Sequence, residues 1–108
     1  GTNMGPSPYD LLLMSLGSCT SMTIRMYANF KKIPMDDVTI RLVHERLDAD
    51  DCEECQGRTG KVERITRFIS FKGDLTDEEI QKLIKIADKC PVHRTLENEP
   101  VVSTKLVE

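Results

Sequence analysis

Four cysteines are the residues of this 108-residue chain best suited to chemistry, and two of them stand alone in the sequence. Cys19 lies in a run of leucine, methionine and small residues, and Cys90 directly precedes Pro91. A proline often opens a helix, and a thiol at a helix N-terminus has a lowered pKa because of the partial positive charge there. His93 and Arg94 can add positive charge close to Cys90.

Cys19 and Cys90 form a candidate redox pair if the segments that carry them pack together. Two adjacent thiols can cycle between a dithiol and a disulfide. Alternatively, both are small buried hydrophobic residues, which is a common fate of free cysteine. No rule of spacing brings together two cysteines so far apart in the sequence, so the residues alone leave both interpretations open.

The other two cysteines form the motif Cys52-Glu-Glu-Cys55 within a strongly acidic stretch. The surrounding acids are Asp48, Asp50, Asp51, Glu53 and Glu54. A CxxC motif is either a redox pair or half of a metal site, and acidic neighbours disfavour a thiolate nucleophile while they favour a divalent cation. His44 is a candidate third ligand, but a fourth is not evident. A local disulfide and a solvated loop with two spare thiols are therefore further interpretations, and no metal ligand is assigned.

Hydrophobic periodicity and capping residues predict the elements that must position these cysteines. The predicted elements are a helix over 8–31, strands over 36–47 and 61–72, a helix that begins after Thr76, a short helix over 91–98 and a strand over 101–107. This order, α-β-β-α-α-β, indicates a single α+β domain over 1–108 with an antiparallel hairpin and a long central helix.

The long helix is predicted to be buried, because its first half is apolar on every side. In its second half Met22, Met26 and Phe30 share a stripe with Cys19, and we expect that stripe to face inward. The next helix has an apolar stripe made of Ile80, Leu83, Ile84 and Ala87. The next member of this stripe is Cys90, so we expect the second thiol to lie on an inward face as well.

Composition and charge restrict the function. A net charge of −3 and the lack of a basic stripe with aromatic residues argue against nucleic acid as a partner. The apolar run is shorter than the ~20 residues of a membrane span, and the first residues do not resemble a secretory signal. We therefore expect a cytoplasmic protein, in which cysteines are reactive or metal-binding more often than structural.

Two segments of the chain resemble the signature regions of a known family. The segments PSPYDLLLMSLGSCTSMTIRMYA and IADKCPVHRTL look like the two cysteine-bearing regions of the OsmC/Ohr family, the osmotically inducible protein C and organic hydroperoxide resistance proteins. They occur in the family's order, and the resemblance covers essentially the whole chain.

The resemblance implies a thiol peroxidase that needs no cofactor. In similar proteins one thiolate attacks an organic hydroperoxide and becomes a sulfenic acid, and a second thiol condenses with it to a disulfide. A dithiol such as a lipoylated protein then reduces that disulfide. By position Cys19 corresponds to the peroxide-attacking cysteine and Cys90 to the resolving one. The family fold is an intertwined homodimer with sites at the subunit interface.

The chain also departs from the family pattern. Peroxidase members use an arginine from an N-terminal strand together with a glutamate after the helix-opening proline, whereas here Tyr9 occupies the glutamate position and strands of that kind are not recognised before residue 8. Arg25 and Arg94 are candidates to replace that arginine, and we expect further residues to precede the segment in the intact protein. The alternative function is a non-peroxidatic scaffold or redox-responsive protein with a metal-binding or inert Cys52–Cys55 loop.

Overall fold

The computed structural model describes residues 7–107, which form an α+β fold with the predicted order of helices and strands up to residue 97. The elements are helix α1 (Pro8–Phe30), strands β1 (Met35–Asp48) and β2 (Lys61–Gly73), and helices α2 (Asp77–Ala87) and α3 (Pro91–Glu97). Two 3₁₀ turns, Ala49–Asp51 and Glu53–Cys55, lie in the loop between the strands. The predicted boundaries agree with the structure to within one residue except at the end of α2, which stops at Ala87 and not at Cys90, the N-cap residue of α3.

The predicted strand over 101–107 is wrong. These residues have no regular secondary structure, and their large apolar side chains, such as Val101 and Leu106, are almost fully exposed. A strand forms only where another strand accepts its backbone hydrogen bonds. The sheet within residues 7–107 contains only β1 and β2, and neither pairs with the C-terminal segment.

Helix α1 begins as the sequence predicts but buries a different face. Ser7 and Asp10 form a reciprocal capping box, which satisfies two backbone groups at the helix start. The buried positions follow a single stripe of small and β-branched residues and one leucine. They are Leu16, Thr20, Ile24 and Ala28.

The prediction that Met22, Met26 and Phe30 face inward is therefore wrong for this chain. Their relative exposures are 62%, 70% and 78%. Hydropathy alone could not distinguish the two stripes, because both sides of α1 are apolar and only the partner elements decide which one is covered. A single copy covers one side of α1, so burial of the helix on every side stays a prediction that depends on a partner copy.

The two strands form one long antiparallel hairpin whose register runs from Met35 opposite Gly73 to Asp48 opposite Lys61. The tip of the hairpin carries the acidic Cys52–Cys55 loop. At the other end Gly73 has a φ of +135°, and a side chain there would collide with the backbone just before β1. The open end of the hairpin therefore depends on a residue without a Cβ atom.

Helix α2 packs against α1 and completes the core. Thr76 and Glu79 cap α2 reciprocally, and Leu83 and Ala87 are buried against the inward stripe of α1. Val38 from β1 closes this core cluster from the hairpin side. Because α2 ends at Ala87, the same packing brings the Cys90 junction next to the middle of α1. None of the helices within residues 7–107 combines the length and apolar character needed to span a bilayer.

Candidate functional site

The fold brings the two single thiols together. Cys90 is the N-cap residue of α3 and has no solvent exposure, while Cys19 on α1 is partly exposed. Their side chains lie close enough for each thiol to shift the pKa of the other. Residues that are distant in sequence thus form a dithiol pair with one accessible and one enclosed sulfur.

Hydrogen bonding to its sulfur makes Cys90 the more acidic thiol. Burial acts to raise the pKa of Cys90, but hydrogen bonds from Cys19, from the His93 backbone N–H and from Thr20 together lower it below the usual value. The His93 N–H lies 3.5 Å from Cys90 Sγ, which is the geometry of an N-cap side chain. The prediction of a favoured thiolate at this helix start agrees with this geometry.

Cys19 is the thiol that retains its proton. Burial raises the pKa of Cys19, and the hydrogen bond and the negative charge of Cys90 raise it further. The Val92 backbone and the Thr23 side chain act in the opposite direction but do not compensate. When the pair loses its first proton, the thiolate therefore forms on Cys90, and the remaining proton stays on Cys19, the more accessible sulfur.

Arg67, which the sequence analysis did not single out, lies at the centre of the polar contacts around this pair. Its Nη1 donates to Thr20 Oγ1 at 3.1 Å and to the Ala87 carbonyl at 2.9 Å. Its Nη2 pairs with Asp88 Oδ1 at 2.9 Å, and the side chain is only 11% exposed. A single residue of β2 thus joins the helix of Cys19 to the segment that leads into Cys90.

The two arginines that the sequence analysis considered have other positions. Arg25 donates to Asp37 at 2.6 Å near the start of β1, and both side chains are about half exposed. Arg94 lies exposed on α3. The only sequence signal for Arg67 was the imperfect alternation of the second strand, which places a charged residue among apolar ones.

A histidine and two acids extend the polar network along α3. His93 Nε2 lies 2.7 Å from Glu97 Oε1 and 3.9 Å from Asp88 Oδ1. Because Asp88 also pairs with Arg67, the charges next to the thiol pair are largely balanced by one another.

An open groove of about 1150 Å³ lies between the first half of α1, the hairpin and α3, and its lining includes neither Cys19 nor Cys90. Its apolar wall includes Leu12, Leu16 and Ile69, and His93 and Arg67 lie on its polar wall. At its far end Tyr9 stacks on His44 with ring centroids 4.9 Å apart. The groove reaches the network around the thiols through Arg67, Asp88 and His93, which lie in its lining.

The CxxC motif forms a local disulfide, one of the interpretations left open by the sequence. Cys52 and Cys55 are bonded to each other, with their Cα atoms 5.3 Å apart. A disulfide sulfur is not a thiolate ligand, and residues 7–107 contain no group of three or more side chains placed to bind a metal ion. His44, the candidate third ligand, contacts Tyr9 and lies 3.7 Å from Glu63.

The fold and the site together define a class of α+β proteins that contain a pair of thiols. One thiol lies on a long helix, and the other lies at the start of a short helix. The sequence profile of the OsmC-like protein family matches residues 1–105, and the chain belongs to this family. A search among curated proteins finds no match.

Solved structures of family members are similar to this chain in fold. The OsmC-like protein from Mycoplasma pneumoniae is 23% identical with a TM-score of 0.70, over 91% of this chain and 67% of that one. OhrB, the organic hydroperoxide resistance protein of Bacillus subtilis, is 21% identical with a TM-score of 0.67, over 91% and 67%. An OsmC-like hydroperoxide resistance protein from Jannaschia sp. CCS1 is 22% identical with a TM-score of 0.70, over 98% and 69%. The chain thus spans about two thirds of the length of these proteins.

Proposed function

We propose that this protein reduces organic hydroperoxides through a dithiol–disulfide cycle of Cys19 and Cys90. The observation that carries the proposal is the proximity of a partly exposed thiol to a buried, more acidic one, each of which shifts the pKa of the other. The names of similar structures, which include organic hydroperoxide resistance proteins, support the same chemistry.

The accessible position of Cys19 suits it to attack the peroxide. Cys90, which ionises first, accepts the Cys19 proton, and the Cys19 thiolate sulfur bonds to one peroxide oxygen while the O–O bond breaks. Cys19 becomes a sulfenic acid, and the leaving alkoxide takes the proton from Cys90, which returns Cys90 to its thiolate form. Cys90 cannot play this part, because its sulfur has no exposure to solvent.

The acidity of Cys90 suits it to the second step. The Cys90 thiolate attacks the sulfur of the Cys19 sulfenic acid, a disulfide forms, and hydroxide leaves and is protonated to water. An external dithiol, such as a lipoylated protein, then reduces the disulfide by two electrons and becomes a disulfide itself. One hydroperoxide and one dithiol are thus converted to one alcohol, one water and one disulfide.

A homodimer is part of the proposal. The exposed apolar stripe of α1, which includes Met22, Met26 and Phe30, is larger than the scattered apolar residues of an ordinary surface. A second copy seated on this stripe would cover it. A reducing cytoplasm would return the Cys19–Cys90 disulfide to its dithiol form.

The experiment that tests the proposal follows the consumption of cumene hydroperoxide with dihydrolipoamide as the reductant. Cys19→Ser should abolish turnover, because the attacking sulfur is lost. The double variant Cys52→Ser/Cys55→Ser is the matched control and should retain turnover, because it removes two sulfurs outside the proposed cycle. Unchanged turnover in Cys19→Ser would contradict the proposal.

A further inference from the structure

The Cys52–Cys55 disulfide lies in a loop that can open without disturbing the rest of the hairpin. It joins the two ends of one 3₁₀ turn and not two helices or strands. The strands are closed below the loop by their own contacts, among them the Ala49 N–H, which donates to the Gly60 carbonyl at 2.8 Å. Reduction of the disulfide therefore leaves the antiparallel pairing of β1 and β2 in place.

Inside the loop a succession of tight turns holds the chain, and the disulfide closes the middle one. Backbone N–H groups donate three residues back, to the carbonyls of Ala49, Cys52 and Cys55, at 3.2, 3.1 and 3.0 Å. Glu54 adds an exposed ion pair to Arg64 at 3.5 Å. Because such exposed contacts contribute little against water, the covalent bond is the main constraint on this loop.

The two cysteines of the disulfide differ in exposure. Cys55 is partly exposed, whereas Cys52 is 6% exposed. Thiol–disulfide exchange requires a thiolate to reach the sulfur that it attacks. Cys55 is therefore the position open to an external thiolate, and Cys52 supplies the sulfur that leaves.

The charge of the loop restricts the reductants that can approach. Residues 49–60 carry four carboxylates and a single arginine, Arg58. Their negative field repels a thiol that brings a further carboxylate. A monothiol has a second disadvantage, because the freed Cys52 thiol stays beside the mixed disulfide on Cys55 and can displace the monothiol again. The loop thus favours a dithiol without an additional negative charge.

We infer that Cys52–Cys55 is a second redox-active site, separate from Cys19 and Cys90, which accepts two electrons from an uncharged dithiol and then releases its loop. One thiolate of the reductant bonds to the Cys55 sulfur, the protein disulfide breaks, and Cys52 leaves as a thiolate that takes up a proton. The second thiolate of the reductant attacks the reductant's own sulfur in the mixed disulfide. A cyclic disulfide forms, and Cys55 leaves as a thiolate that is protonated.

The released loop lies at one end of the groove. The loop residues that line this end are Glu54, Gly57, Arg58 and Thr59. Reduction of the motif therefore changes the wall of the groove in a region that neither Cys19 nor Cys90 lines.

The first test compares two reductants that differ by one charge, dihydrolipoamide and dihydrolipoate. The folded parent protein is alkylated at increasing times, and the tryptic peptide 47–58 reports the reduction, because Cys52 and Cys55 are its only cysteines. Dihydrolipoamide should react faster by about fivefold in ~0.01 M salt, and the difference should nearly vanish in ~1 M salt. A disulfide that stays oxidised in both reductants until urea unfolds the protein would overturn the inference.

A pair of charge variants checks the selection of the reductant. Asp51→Asn/Glu53→Gln removes two negative charges next to Cys52 and should bring the two rates closer together. Asp77→Asn/Glu78→Gln removes the same charge from the first turn of α2 and should preserve the difference. Equal rates of the two reductants with the parent protein in ~0.01 M salt would overturn the role assigned to the loop charge.

The second test measures the release of the loop by limited digestion with trypsin. Cleavage after Arg58, which is exposed, should be faster by roughly tenfold or more in the reduced protein and in Cys52→Ser/Cys55→Ser than in the oxidised parent. Cleavage after Arg41, in the middle of β1, should not change. Unchanged cleavage after Arg58, or an equal increase after Arg41, would overturn local release of the loop.

These tests do not depend on the proposed function. In Cys19→Ser, which should not reduce peroxide, the exchange at Cys52 and Cys55 should persist. Normal peroxide turnover in a parent protein whose peptide 47–58 stays oxidised would refute the second redox site alone. Exchange at that peptide without peroxide turnover in the parent would support the second site and refute peroxide reduction.

Discussion

Truncation of Leu83 tests the packing that brings the two thiols together. Leu83 has no exposure and lies on α2 against Ile24 and Ala28 of α1. Leu83→Ala removes three carbons, which corresponds to a transfer free energy of about 2.4 kcal/mol at ~0.8 kcal/mol per methylene. The cavity left behind adds to this, so the free energy of unfolding should fall by about 3–4 kcal/mol, within the range of such substitutions.

Ile84 provides the matched control because it is the next residue on the same helix but is 38% exposed. The space left by Ile84→Ala is open to the groove and is not an enclosed cavity. Alanine also has a higher helix propensity than isoleucine, which offsets part of the loss. We expect a loss of at most about 1.5 kcal/mol. Urea unfolding followed by circular dichroism measures both variants, at one fixed protein concentration because assembly would shift the midpoint.

The same truncation should be detectable at the thiol site. Because Leu83 holds the end of α2 in place, its loss lowers the cost of opening the junction that encloses Cys90. Alkylation of Cys90 in the folded protein should therefore be faster in Leu83→Ala than in Ile84→Ala. Equal destabilisation by the two substitutions, or unchanged protection of Cys90, would refute this account of how the core positions the site.

Three further predictions concern the thiols and the hairpin. Cys90→Ser should lower the pKa of Cys19, because the charge of Cys90 is lost although burial, the larger cause, remains. The rate of Cys19 alkylation should then increase at a lower pH than in the parent protein, in which the raised pKa of Cys19 delays its ionisation to higher pH. Gly73→Ala should lower the free energy of unfolding by roughly 2 kcal/mol or more, because of its φ of +135° and the backbone that a Cβ would meet. The Cys52→Ser/Cys55→Ser variant should lose about 2 kcal/mol, as its closed loop is very short.

Each of these predictions has a control. Cys90→Ala should lower the pKa of Cys19 as Cys90→Ser does, and a rise in either variant would contradict the assignment of the shared proton. Gly57→Ala, at a φ of +83° but in open space, should cost less than Gly73→Ala in urea unfolding. Equal stability of the Cys52→Ser/Cys55→Ser variant and the parent under non-reducing conditions would show that the disulfide does not constrain the loop.

Local signals in the sequence were sufficient to predict most of the fold. The capping residues Ser7 and Thr76 mark the starts of two helices, and the alternation near Ile40 marks a strand, because these features depend on neighbours in sequence. The proline after Cys90 likewise identified its place at a helix start.

Features that depend on distant residues could not be predicted in the same way. The inward face of α1 is decided by α2 and the hairpin, so the exposed Met26 stripe looked as suitable for the core as the buried Ile24 stripe. Arg67 becomes important only because the register of β2 places it opposite Thr20 and Ala87. The inward stripes of the two helices left the pairing of Cys19 and Cys90 open, and the family resemblance favoured it.

Disulfide mapping shows whether Cys19 and Cys90 form a redox pair. The protein is treated with one equivalent of cumene hydroperoxide, alkylated, digested without reduction and analysed by mass spectrometry. We expect a new peptide pair joined through Cys19 and Cys90, absent from the reduced protein and from Cys19→Ser. Peroxide consumption without that pair, or oxidation confined to Cys52 and Cys55, would contradict this expectation.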